Sequence, residues 1–308
     1  FALFRHRLSG TIEYYNKYSV DLLAAINGSP TQGFGYTTLM TNNGKMVNRG
    51  VEITLSGEII RQKDFSWNAS LLYAFNRNKV KHISVQPSLW DSRISMPTSY
   101  PMVGKPLYGI YAYKWAGLNE NGDPQVYDAE NNVTSGPARD YHALVYCGTT
   151  VPIHNASLTN VLRYKGFEFS AMLILDAGHK LRSSNIPSIN MSNGRITSTA
   201  KGIVDRWTQP GDVTDVPRLL FSNDTENFNT HRTELYRYSD LFVYDASNIR
   251  LSNISLAYRV PAHWCKKISL SGARLQFNVE NVATFAFDSK ANYDLGGKVK
   301  PNYVWGLY

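Results

Sequence analysis

The sequence predicts an all-β fold, an antiparallel transmembrane β-barrel segment of about eight strands, with long loops at one end and short turns at the other. Three observations predict it. Apolar and polar residues alternate over runs of about 9–11 residues. Long and short connections alternate between those runs. Aromatic residues gather at both ends of them.

The first strand is marked by Leu8, Gly10, Ile12 and Tyr14, which alternate with Ser9, Thr11, Glu13 and Tyr15. Residues 50–75 hold the second and third. Val51, Ile53, Leu55, Gly57 and Ile59 oppose Glu52, Thr54, Ser56 and Glu58; then Phe65, Trp67, Ala69, Leu71, Tyr73 and Phe75 oppose Ser66, Asn68 and Ser70. Side chains alternate faces along a strand, so each run has one apolar and one polar face. Residues 154–163 (HNASLTNVLR) form a fourth run, in which Asn160 falls in the apolar phase. The fifth sets Phe167, Phe169, Ala171, Leu173 and Leu175 against Glu168, Ser170 and Asp176. In the sixth, 247–260, Ile249 and Leu251 are out of phase with Ile254, Leu256, Tyr258 and Val260, as a β-bulge near Asn253 would require. Ala273, Leu275, Phe277 and Val279 against Arg274, Gln276, Asn278 and Glu280 make the seventh, and residues 301–308 the eighth.

Several runs have the length of a tilted membrane-spanning strand, whereas soluble strands average about 5–6 residues. Connections 17–46, 77–153, 177–246 and 283–300 are long, and 60–64, 164–166 and 261–267 are short. Outer-membrane barrels show this alternation, with short periplasmic turns and long extracellular loops. Phe65, Trp67, Phe167 and Trp264 lie beside the short turns; Tyr14, Tyr15, Tyr73 and Phe75 lie at the opposite strand ends. Two such girdles flank the apolar band of a barrel. In that architecture the apolar phase meets lipid and the polar phase a lumen. A soluble β-sandwich with aromatic edges, its apolar phase inward, is the alternative on residues alone, and closure at eight strands is a second one.

Composition narrows the function classes. With 43% hydrophobic and 18% charged residues the chain is ordered. Its 20 tyrosines suit surfaces that are apolar at one end and wet at the other. No run approaches the length of a transmembrane helix. The net charge of +8 is scattered, without a basic block or nucleic-acid motif, so no nucleic acid is expected as a partner. Two cysteines, Cys147 and Cys265, allow neither a disulfide scaffold nor a Cys-based zinc site, and their places at opposite ends of the barrel predict two free thiols. The opening FALFRHRLSG lacks the pattern of a leader, which suits a processed chain or an internal piece of a longer one.

No catalytic constellation emerges: His6, His82, His142, His154, His179, His231 and His263 are dispersed, and no enzyme, cofactor or metal site is expected. Asn119, Asn121 and Asp123 in LNENGDPQVYD are spaced like calcium ligands, but the bidentate Glu is missing and Asn-Gly and Asp-Pro read as a turn. Eight charged residues share the polar phase and are expected to face the lumen: Glu13, Glu52, Glu58, Glu168, Asp176, Arg250, Arg274 and Glu280. In the long loops Tyr108, Tyr111, Tyr113, Trp115 and Trp207 are candidate ligand contacts, since aromatic faces take up sugar and peptide surfaces. The competing role for them is packing within the loop.

Motifs across nearly the whole chain resemble the C-terminal third of SusC/RagA-type TonB-dependent outer-membrane transporters. RLSGTIEYYNKYSVDLL (7–23), NRGVEITLSGEI (48–59), YAFNRNKV (73–80) and RYKGFEFS (163–170) are similar to the strands and hairpins of that family. DRWTQPGDVTDVPRL (205–219) resembles an outer-loop block, SNIRLSNISLAYRVP (247–261) a strand and turn, and LQFNVENVATF (275–285) the penultimate strand. The departures are AFDSKANYDLGG (286–297) and the end at VWGLY. The resemblance implies a 22-stranded barrel of which residues 1–308 supply the C-terminal part, with plug domain and TonB box outside them. It also implies import of glycan or peptide oligomers across the outer membrane of a Gram-negative Bacteroidota cell. The implied partners are TonB, a SusD-like surface lipoprotein and outer-membrane lipid.

Overall fold

The computed structural model describes residues 1–27, 38–84, 92–136, 140–191, 200–221, 230–267, 269–296 and 302–307. One antiparallel sheet of nine strands runs through the chain. In order these are β1 (Ala2–Leu3), β2 (Leu8–Asn27), β3 (Thr38–Arg61), β4 (Phe65–His82) and β5 (His154–Tyr164). β6 (Phe167–Ala177), β7 (Asn248–Arg259), β8 (Arg274–Ala286) and β9 (Asn302–Leu307) follow. Each strand pairs with its neighbours in sequence, so the sheet is a plain meander, and eight of its members match the expected runs.

The pairing register carries each side-chain phase across the sheet. One row joins Gly10, Leu55, Leu71, Leu158, Leu173, Leu251 and Ala283; the next joins Ile12, Ile53, Tyr73, Ala156, Leu175, Ile249 and Phe285. Between β7 and β6 the register slips from Leu251 to Asn253, which leaves Ser252 as the extra residue; against β8, Ser252 faces both Asn281 and Val282, so there the extra residue lies on β8. The bulge at Ser252 returns Ile249 and Leu251 to the face of Ile254 and Leu256, as the phase break required.

Among the described residues nothing covers either face of the spanning part. Ile12 is 66% exposed, Leu275 51% and Leu256 47%, while Glu13 and Glu52 on the other face are exposed as well. A sandwich would have hidden one phase under a second sheet. Here the apolar phase is left for a solvent of its own.

Three boundaries differ from expectation. β2 and β3 are 20 and 24 residues long, so most of the expected loop 17–46 is a hairpin ribbon, and its tip at 28–37 lies outside the described residues. Alternation reports one-sided burial, and a ribbon wetted on both sides can hold its ladder without it. Slips between Ser19 and Leu23, with Asp21 at φ 53°, twist this ribbon. β4 likewise runs on to His82. The connection expected at 261–267 spans 260–273 and contains a helix, Ala262–Lys267, closed by the Val260 N–H donating to the Ala273 carbonyl. Pro261 starts that helix, and its carbonyl accepts from Trp264. The other two short turns are tight; at Gly166 the Arg259 carbonyl lies 2.9 Å from where a Cβ would sit.

The buried core lies in the loops instead. Segments between β4 and β5 and between β6 and β7 fold over each other. Gly109–Tyr113 pairs with Leu144–Thr149, Lys180–Arg182 with Val243–Asp245, and Asn190–Met191 with Leu220–Phe221. Tyr111, Tyr113, Val126, Ala143, Leu144 and Leu235 form one buried cluster, and Ile189, Tyr236 and Phe242 another.

Candidate functional site

The site is built from two surfaces, the polar face of the sheet and the loop canopy at one end of it. All eight charged residues singled out from the sequence occupy one face, because every step between them is an even number of residues or a direct cross-strand pair. They form local networks. Asp176 accepts from Arg250 Nη2 at 3.3 Å and Asn155 Nδ2 at 2.7 Å. Glu168 sits between Arg163 (2.7 Å) and Arg274 (3.1 Å), and Glu58 meets Arg61 at 3.4 Å. Glu13 and Glu52 stand directly opposite each other and make no ion pair among the described residues. Like charges paired across strands repel, so these two favour a hydrated surrounding or an approaching cation.

The opposite face is apolar down to its exceptions. Asn160, the one polar side chain in mid-phase on β5, accepts a hydrogen bond from Trp67 Nε1 at 3.1 Å. At the short-turn end Phe65, Tyr164, Phe167 and Tyr258 share a row, with the Phe167 and Tyr258 rings 4.5 Å apart. At the loop end Tyr14, Val51, Phe75 and His154 share another, Phe75 and His154 at 5.3 Å, and the Tyr73 hydroxyl pairs with His154 Nδ1 at 2.8 Å. The rows lie ten residues apart along β4. At about 3.4 Å per residue and a tilt near 40° that is about 25 Å, the height of a barrel's apolar band.

The canopy holds the aromatic candidates, and it uses them unequally. Tyr111 and Tyr113 are each 1% exposed, so their rings meet other side chains and not solvent. The Tyr111 hydroxyl accepts from the Met102 N–H, and burial pushes its pKa upward. Trp115 packs against Tyr236 at 5.9 Å while its Nε1 donates to Asp215 at 2.9 Å. The Trp207 ring lies over Gly122, where φ is 74° and a Cβ would strike the indole. Of the five, Tyr108 is the open one, 45% exposed.

An ionic hub that the spacing of residues does not announce holds the canopy together. Arg218 reaches both oxygens of Asp123, at 3.1 and 2.8 Å, and Arg232 Nε adds a third contact at 3.1 Å. The remaining Arg232 nitrogens donate to the carbonyls of Ile189 and Arg218 and to Asn190 Oδ1. Burial weakens the hold of Arg232 on its proton, and Asp123 opposes that shift. The turn that resembled a calcium loop is thus a scaffold: Asn119 Oδ1 accepts from the Asn121 and Asp123 N–H groups, and arginines take up the Asp123 carboxylate. Asp123 stood out in the sequence only for its turn, and Arg218 only within the outer-loop block; for Arg232 no local signal existed. Elsewhere Cys147 and Cys265 are free thiols, and burial pushes Cys147 up to about 11.

The family model described as TonB dependent receptor-like, beta-barrel matches residues 1–282. This chain belongs to that family. The TonB-dependent receptor barrel is similar to TonB-dependent receptor P3 of Formosa agariphila, 25% identical over 328 aligned residues that cover 99% of this chain and 31% of the relative. It is 23% identical to TonB-dependent receptor SusC of Bacteroides thetaiotaomicron, over 91% of this chain and 27% of that one. In fold it matches the solved RagAB peptide transporter with a TM-score of 0.74 at 21% identity, covering 99% of this chain and 34% of that one. The chain therefore spans about a third of the length of its relatives, in their C-terminal barrel portion.

Proposed function

We propose that this chain forms the C-terminal part of the wall of an outer-membrane importer. In this reading it takes up nutrient oligomers, glycans or peptides, in a Gram-negative Bacteroidota cell. One observation carries it: a single-layer sheet whose uncovered apolar face runs between two aromatic rows set one membrane thickness apart. That face contacts lipid. Glu13, Glu52, Glu58, Glu168, Asp176, Arg250, Arg274 and Glu280 then line an aqueous lumen, where a charged side chain escapes the roughly 2–4 kcal/mol that Arg costs at the bilayer midplane.

Residues 1–308 supply wall and loops; the moving part, a plug with a TonB box, belongs to another stretch of the protein, and TonB supplies the energy through it. The canopy faces outward and meets a SusD-like surface lipoprotein that delivers the substrate. Within it Tyr108, the exposed one of the five aromatics, is the candidate to touch a ligand; Tyr111, Tyr113 and Trp115 hold the canopy's shape. The likeness to SusC and to the RagAB peptide transporter supports this assignment, and the shared family supports energy coupling by TonB. Purification of the native complex, with identification of its co-purifying lipoprotein and bound oligomer, tests the reading. A protein that migrates as a detergent-free soluble monomer refutes it.

A further inference from the structure

Above the loop-end aromatic row, the lipid-side face changes character. Arg49 and Arg77 stand directly opposite each other on β3 and β4, two residues beyond Val51 and Phe75. Lys79 follows two residues further on, across from Val47. All three cations are exposed, and no register slip intervenes between them and the apolar rows below. The flanking side chains of β2 on this face are Tyr14, Asn16 and Tyr18, none of them acidic, and Arg49 Nε donates to Asn16 Oδ1 at 3.1 Å. From the canopy, residues 104–105 bond to Val80 on β4, and Lys105 places its ammonium 4.9 Å from the Tyr146 ring. None of the four cations makes an ion pair among the described residues.

Two arginines paired across strands without a carboxylate repel each other, and an anion between them removes the repulsion. Their height identifies the anion. Two residues of tilted strand raise them about 5 Å above the aromatic row, into the headgroup layer. We infer that Arg49, Arg77 and Lys79 bind the phosphate of an anionic lipid of the outer leaflet, whose acyl chains lie along the apolar rows beneath. The inference rests on the outward orientation of the loop end given above. It adds a lipid site at the rim, outside the substrate path.

The test uses the full-length receptor purified from outer membranes and exchanged into nanodiscs containing either phosphorylated lipid A or its dephosphorylated form. Retained lipid is counted by native mass spectrometry. The wild-type receptor should hold the phosphorylated lipid preferentially. Arg49→Gln, Arg77→Gln and Lys79→Gln should each weaken that retention by about fivefold, while Lys17→Gln on the polar face leaves it unchanged. Equal retention of the two lipids by the wild type overturns the inference whether or not the variants assemble. So does equal retention by the wild type and an assembled triple variant, or full displacement by inorganic phosphate alone. Wild-type receptor without heat-modifiable migration refutes the outer-membrane reading itself, an outcome separate from a folded barrel that ignores the phosphate.

Discussion

Leu55 and Thr54 are neighbours on β3 at the same height and on opposite faces, which makes them a matched pair for testing which face meets lipid. Leu55 lies in the row of Leu71, Leu158, Leu173 and Leu251, near the middle of the interval between the two aromatic rows. Thr54 lies between Thr11 and Leu72 on the polar face. Arginine at the lipid midplane costs about 2–4 kcal/mol, whereas a lumen position keeps its charge hydrated. At about 1.4 kcal/mol per tenfold change, Leu55→Arg should lower the folding equilibrium constant roughly 30- to 800-fold. Thr54→Arg should change it much less. Leu173→Arg, in the same row on β6, should behave as Leu55→Arg does. The assay is denaturant titration of the full-length receptor in liposomes, read by heat-modifiable migration on gels. If Thr54→Arg costs as much as Leu55→Arg, the assignment of faces is wrong, and the lumen with it.

Trp67→Phe should leave the Asn160 amide unpaired in the apolar face at a cost of about 1–3 kcal/mol. Adding Asn160→Leu should recover most of it in the same titration. Arg232→Ala should leave Asp123 held by Arg218 alone and take a donor from the Arg218 carbonyl and from Asn190, a loss of about 1–3 kcal/mol confined to the canopy; limited proteolysis should then cut the loops while the barrel still migrates as folded. Asp245 is held at about 2; burial works against that, but bonds from the Ser247 hydroxyl and N–H and from Lys180 prevail. A carboxylate depressed in this way stabilises the fold above its ordinary value near 3.8 and loses that contribution as pH falls toward 2. Hydrogen-exchange protection factors across Lys180–Arg182 and Val243–Asp245, taken relative to the intrinsic rate at each pH, should therefore fall over that window, and Asp245→Asn should flatten the change. Cys147, with its thiol pushed up to about 11, should alkylate slowly at neutral pH, and a non-reducing gel should show no crosslink to Cys265.

Alternation along the chain was enough to place eight strands, to group eight charges in one phase and to call for a bulge near Asn253, one residue from Ser252 where the register slips, because each is a local consequence of a backbone lying between two unlike media. Even the apparent fault at Asn160 belonged to that pattern, once the Trp67 indole was found beside it. What the chain's own pattern left open depends on segments far apart in sequence. Tyr111 and Tyr113 look like Tyr108 in a linear reading; only the meeting of 109–113 with 144–149 and 230–237 buries two and leaves the third open. Arg232 gains its role from Asp123, 109 residues earlier. The β2–β3 ribbon escaped notice for the opposite reason, since backbone hydrogen bonds hold it and no side-chain period records them. Local chemistry determined which face each residue takes; only the folded loops decided which aromatic rings are buried and which stay open.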